Sequence, residues 1–84
     1  MKIGIAGSLE SSDCLVRAEE SDKLEIQIES SVFEFFGNQI RKVVLDTLED
    51  QGIKTIKIHV NDKGALDYTI RSRLLTAIER MKRS

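Results

Sequence analysis

The amino-acid sequence predicts an α+β fold. It is a two-layer sandwich whose four-stranded, mostly antiparallel sheet is covered on one face by two helices, in the order β-β-β-α-β-α. Three observations predict it. Apolar residues alternate with polar ones along Leu24-Ile26-Ile28 and again along Ile56-Ile58-Val60, the period of a strand with one dry face. Elsewhere they recur at three- and four-residue spacing, through Phe33, Phe36, Ile40, Val44 and Leu48 and through Leu66, Ile70, Leu74, Ala77, Ile78 and Met81. Finally, 84 residues, 40% of them hydrophobic and 32% charged, suit one domain spanning residues 1–84.

The elements follow in order. Ile3 and Ile5 alternate with Lys2 and Gly4, which predicts a short strand at 2–7. Gly7-Ser8-Leu9-Glu10-Ser11-Ser12-Asp13 is dense in small polar residues and reads as a connection. Cys14-Leu15-Val16-Arg17-Ala18 is β-prone, and Glu19-Glu20-Ser21-Asp22 is a polar turn. The third strand alternates Leu24, Ile26 and Ile28 with Glu25, Gln27 and Glu29. Ser31-Val32-Phe33-Glu34 has the form of a capping box, which predicts a helix from there to about Gln51. Gly52 stands where a left-handed C-terminal cap belongs. Ile53 to Val60 returns to period two, Asn61-Asp62-Lys63-Gly64 reads as a turn, and the last helix follows. Its final turn carries Arg80, Lys82 and Arg83, matched to the negative end of the helix dipole.

Size and composition exclude several functions. A chain this short buries only about 60–65% of its unfolded surface, within a radius of gyration of roughly 12 Å. That leaves little room for an enclosed active-site cleft. No apolar run approaches the ~20 residues of a membrane helix. The segment Met1–Gly7 is too short for a signal peptide, so the expected compartment is the cytoplasm, with no membrane partner. The lone Cys14 has no partner for an internal disulfide, and with the single His59 it excludes a Cys/His zinc site. No metal site is expected.

Catalytic constellations are missing too. His59 shares a strand face with Lys57, the expected solvent face. Glu10 and Asp13 flank serines in an exposed loop, where nothing raises a carboxylate pKa. Gly4-Ile5-Ala6-Gly7 lacks the length and flanks of a phosphate cradle. No residue is assigned a catalytic role. Nucleic-acid binding is disfavoured as well. Arg71 and Arg73 of the last helix diverge, and Phe33 and Phe36 are spent on the first helix's apolar stripe. Residues 1–50 hold 5 Lys/Arg against 11 Asp/Glu, and residues 51–84 hold 8 against 3. The halves either pair with each other or present an acidic and a basic face to different partners.

The loop Ser8–Asp13 remains. On composition it is a hairpin connection. The alternative is a modification site, because an exposed serine hydroxyl accepts a group placed by a separate enzyme.

Three segments carry a resemblance. Ala6-Gly7-Ser8-Leu9-Glu10-Ser11-Ser12-Asp13 resembles the Ala-Gly-Thr-Leu-Glu-Ser-Gly/Ser-Asp segment of the citrate lyase acyl carrier protein family, the gamma subunit. Val60-Asn61-Asp62-Lys63-Gly64-Ala65-Leu66-Asp67, with Ile70-Arg71-Ser72-Arg73-Leu74, is similar to that family's Asp-Asp-Lys-Gly-Ala-Leu segment and Arg-Ala-Arg helix. Phe36-Gly37 followed by Ile40 is a third, weaker match.

The resemblance implies a carrier subunit that is not itself an enzyme. It implies a phosphoribosyl-dephospho-coenzyme A group joined through a phosphodiester to Ser11, the serine after Leu-Glu; Ser12, at a Gly/Ser-variable position, is the less favoured site. The group's thiol would hold the acetyl or citryl unit while citrate is cleaved to oxaloacetate and acetate. The implied partners are an alpha subunit (acetyl/citryl transferase), a beta subunit (citryl lyase) and the transferase that attaches the group, with no nucleic acid. Glu10 and Asp13 are candidates for recognition by that transferase. Cys14 replaces an aliphatic residue and is read as a small buried hydrophobe. The alternative function is a small cytoplasmic module that binds protein or nucleic acid and carries no prosthetic group.

Overall fold

The computed structural model describes residues 2–84, apart from the side chains of Phe33 and Glu34. The elements are β1 (Ile3–Gly7), β2 (Cys14–Glu19), β3 (Leu24–Ser30), α1 (Phe33–Asp50), β4 (Ile56–Asp62) and α2 (Asp67–Arg83), in the predicted order. The strands form one sheet, β1-β2-β4-β3. β1 pairs with β2 and β2 with β4 antiparallel, while β3 and β4 are parallel. Parallel neighbours cannot be joined by a hairpin, so α1 serves as their crossover.

Register places one face of the sheet under both helices. Ala6, Val16, Val60 and Ile28 lie in one cross-strand row, and Gly4, Ala18, Ile58 and Ile26 in the next. Ile40, Val44 and Leu48 of α1 and Ile70, Leu74, Ala77, Ile78 and Met81 of α2 close over them. Burying one such large side chain contributes about 1.5–3 kcal/mol. Along β1 the inward residues are Gly4 and Ala6, so Ile3 and Ile5 face away from the helices. Gly4 explains the parity: a Cβ there would lie 2.0 Å from the Ala77 carbonyl oxygen and 2.3 Å from the Met81 nitrogen. Helix α2 rests backbone to backbone on β1, and only glycine permits that approach.

Several local expectations are corrected. The cap of α1 is Val32, with no side-chain capping bond, so Ser31 does not form the predicted capping box. The neighbouring Ser30 bonds just outside the helix instead. Its hydroxyl accepts from the Val32 amide and donates to Asp62 Oδ2 at 2.8 Å, because Ser30 lies opposite Asp62 in the β3–β4 register. The expected roles of Phe33 in the stripe and Glu34 in the box fall outside the described side chains. Phe36 and Leu66 were expected in the core and are exposed, at 55% and 59%. Phe36 belongs to the first turns of α1 and Leu66 caps α2, and these two regions stand apart across a groove. β4 begins at Ile56, not Ile53, because the Ile53 amide bonds back to the Leu48 carbonyl and the Gly52 amide to that of Glu49. That pairing is a Schellman close on α1. At its other end β4 absorbs Asn61 and Asp62, which the sequence places in a turn.

Candidate functional site

The β1–β2 loop is a turn held at its base and free at its tip. The Asp13 amide donates to the Glu10 carbonyl at 3.1 Å, closing a four-residue turn with Ser11 and Ser12 at its centre. Ser12 has φ 66, the left-handed value that suits the third residue of a type II turn and favours glycine. Gly7, with φ 97, leads the chain into the loop; a Cβ there would lie 1.8 Å from the Cys14 carbonyl oxygen and 3.2 Å from Arg73 Cδ.

Asp13 is the keystone. Its carboxylate accepts from Ser8 Oγ at 2.7 Å and from the Cys14 amide at 2.7 Å. Arg73 of α2 grips both oxygens in a fork, Nε to Oδ1 at 3.0 Å and a terminal nitrogen to Oδ2 at 3.1 Å. These bonds, the Arg73 pair foremost, then those to Ser8 and Cys14, hold the Asp13 pKa down at about 2. A second fastening comes from the β4–α2 connection. The Ser12 amide donates to the Lys63 carbonyl at 2.8 Å, and the Lys63 amide to the Asp13 carbonyl at 2.9 Å.

What remains is Ser11. It is exposed, and among the described residues its hydroxyl has no hydrogen-bond partner. Ser12 is exposed too, and its hydroxyl likewise has no partner among the described residues, but its backbone is committed to Lys63. Glu10 is exposed, whereas Asp13 is spent on the clamp, so the two carboxylates flanking the serines differ in role.

Comparison with known proteins fits this arrangement. Residues 1–81 match the family model of the malonate decarboxylase delta subunit (MdcD), an ACP family. The chain is 47% identical over 76 residues to the citrate lyase acyl carrier protein of Treponema denticola, covering 90% of this chain and 87% of that one. It is 50% identical over 78 residues to the protein of the same name from Streptococcus mutans serotype c, covering 90% and 76%. Among solved structures, a chain of the Pseudomonas malonate decarboxylase hetero-tetramer, solved in complex with malonate, superposes with TM-score 0.79. The two are 25% identical, over 95% of this chain and 84% of that one. The chain belongs to the citrate lyase and malonate decarboxylase family of acyl carrier proteins.

As a member of that family it is a non-catalytic carrier subunit, of a class that bears a covalently attached prosthetic group and works within an enzyme complex. The fold explains why two distant segments of this acyl carrier protein carry the resemblance. Residues 6–13 run from the end of β1 through the turn, and Lys63 and Arg73, from 60–74, fasten it. The sequence reading passes over Ser8, Lys63 and Arg73 as contributors to the site. The signal available was that both segments match one family.

Of the remaining basic residues of α2, Lys82 is exposed and three bond within the protein. Arg71 bonds to Asp50 at 2.9 Å and Thr47 at 3.3 Å, Arg80 donates to the Ile5 carbonyl at 2.7 Å, and Arg83 pairs with Glu79. The Arg71–Asp50 and Arg73–Asp13 pairs join the basic half of the acyl carrier protein to its acidic half, whereas Arg83–Glu79 lies within the basic half. His59 lies on the uncovered face beside Glu29, at 3.1 Å. Cys14 is fully buried, and burial pushes its thiol up to about 12, so it behaves as the small hydrophobe expected. Among the described residues no helix is long and apolar enough to cross a membrane.

Proposed function

We propose that this acyl carrier serves citrate lyase and bears phosphoribosyl-dephospho-coenzyme A through a phosphodiester on Ser11. The observation that carries the reading is the Ser11 hydroxyl, exposed and without a partner among the described residues, at the tip of a turn whose neighbours are fastened. A covalent arm fits there: Ser11 offers a free oxygen, and no core side chain must move to admit a phosphate. Ser12 fits less well, because its left-handed backbone is pinned to Lys63.

When attached, the group supplies a thiol that holds the acetyl or citryl unit during cleavage of citrate to oxaloacetate and acetate. The chain's own residues present the arm. The Arg73–Asp13 fork and the Lys63 bonds fix the direction in which Ser11 points, and tethering makes each visit to an enzyme an intramolecular encounter. The partners are the alpha transferase and beta lyase subunits and the transferase that loads the group, in the cytoplasm. Citrate is favoured over malonate by identities of 42–50% to citrate lyase carriers, against 25% to the malonate decarboxylase chain.

Intact mass tests the reading in a host that expresses the loading enzymes. Wild type and Ser12→Ala are expected to gain one phosphoribosyl-dephospho-coenzyme A increment, and Ser11→Ala none. The bare mass in all three would leave an interaction module without a prosthetic group.

A further inference from the structure

A groove of about 930 Å³ runs between the first turns of α1 and the segment leading into α2. Its walls include Phe35, Phe36, Ile40, Ala65, Leu66 and Tyr68. Phe35 and Tyr68 are 79% and 72% exposed, and Phe36 and Leu66 are more than half exposed. Clustered apolar surface of this kind marks a binding site, and the volume falls in the range of small-molecule sites, roughly 300–1,000 Å³.

The groove is continuous with the turn that presents Ser11. Lys63 is bonded to Ser12 and Asp13, and the next two residues, Gly64 and Ala65, already line the groove. Its one buried carboxylate, Asp62, is consumed by Ser30 Oγ and by the Gly64 and Ala65 amides. The hydrogen-bonding capacity of Asp62 is therefore used internally, and the other lining carboxylate, the exposed Asp67, accepts from Gln39 Nε2 at 2.6 Å, which leaves a mainly apolar floor. At the rim Asn38 adds an amide group, and Gln39, whose side-chain nitrogen donates to Asp67, adds its amide oxygen.

We infer that this groove shelters the pantetheine-like, thiol-bearing end of the prosthetic arm between its visits to the partner enzymes. The inference rests on the attachment proposed at Ser11. Such an arm brings methyl and methylene groups for Phe36 and Leu66 and amides for Asn38 and Gln39. Its attachment point also chooses it over a free partner. A tethered ligand meets a nearby site at an effective concentration in the millimolar range, so weak contacts suffice to fill the groove.

Thiol reactivity of the holo protein tests it. Cys14 is buried and silent, so the arm carries the one accessible thiol, and the apo protein serves as blank. With the mass increment verified, a maleimide is expected to alkylate the arm several-fold more slowly than free coenzyme A. Phe36→Gln with Leu66→Ser is expected to restore the coenzyme A rate. Both side chains are exposed, so the melting temperature should hold. Amide shifts between apo and holo protein are expected at 36–40 and 64–68. A missing increment overturns the attachment and this inference together. An increment with an unprotected thiol, or protection unchanged in the double variant, overturns this inference alone. An unprotected thiol with loss of alpha or beta subunit binding in the double variant likewise overturns it, and gives the groove to a partner subunit.

Discussion

Two loops of nearly the same chemistry leave the ends of β2. Ser8–Asp13 and Glu20–Lys23 are both short, polar and exposed at their tips, and both are rich in Ser, Asp and Glu. Their fastening differs. Glu20–Lys23 is held by backbone bonds to its strand neighbours, Glu20 to Lys2 and Ile56 to Lys23, and by one local bond to the Ser21 hydroxyl. Ser8–Asp13 reaches across the molecule to Lys63 and to Arg73, the latter 60 residues away. Ordering an exposed loop costs about 1–2 kcal/mol of entropy per residue. A plain connection has no need to meet that cost. The Ser8–Asp13 loop meets it through Asp13 and Lys63 and leaves the Ser11 hydroxyl outside. A fixed backbone around a free side chain is what separates the two loops, and with the proposed attachment at Ser11 it makes the first a presenting loop.

The largest break strikes what the two loops share. Ile58 is fully buried in β4 beside β2, and Ile58→Ala should cost about 2–5 kcal/mol in denaturant unfolding. Both loops should lose protection together. A cost below about 0.5 kcal/mol would mean that this strand face is not core. Gly7→Ala separates the loops. Positive φ and the 1.8 Å approach to the Cys14 carbonyl should cost about 1–3 kcal/mol, while Ser21→Ala stays within about 0.5 kcal/mol. Equal effects would erase the distinction.

That distinction was only partly legible. The element order follows from period two and helical spacing, because those patterns report which side of each element is dry. Burial of Ile56, Ile58 and Val60 and of Ile70, Leu74 and Ala77 was legible for that reason. The parity of β1 was not: Ile3 and Ile5 are its most apolar residues, yet Gly4 and Ala6 face the helices because α2 demands a side without bulk. Phe36 lies on the apolar stripe of α1, but sequence gives no sign that the opposing wall, at Leu66, stands off. At the site, Ser11 was nominated by resemblance. The clamp was not, because Asp13 in an acidic loop and Arg73 in a basic helix look like ordinary solvated charges until the fold joins them.

Removing the clamp sharpens the comparison with a smaller effect. Asp13→Asn takes the charge from the Arg73 fork. Amides of residues 9–13 should then exchange on the order of tenfold faster, the scale set by losing charge-assisted hydrogen bonds. Asp22→Asn should leave the Glu20–Lys23 loop unchanged. Holo-formation should slow in Asp13→Asn if the loading enzyme needs the turn preformed, and unchanged loading would limit the clamp to a structural role.

Acid gives the mildest form of the same test. The Asp13 pKa is held at about 2, below its ordinary 3.8, by Arg73, Ser8 and the Cys14 amide. A lowered carboxylate pKa means that the folded state prefers the ionised form, so the clamp's contribution is complete above 3.8. It fades as pH falls from 3.8 toward 2. The stability gap between wild type and Asp13→Asn should therefore stay constant from neutrality to about pH 4 and narrow only below it. The Cys14 amide resonance, which reports the bond to Asp13 Oδ1, should titrate with a midpoint near 2. A midpoint near 3.8 would mean that Arg73 does not hold Asp13 in solution, and the presenting loop would then be fastened by Lys63 alone.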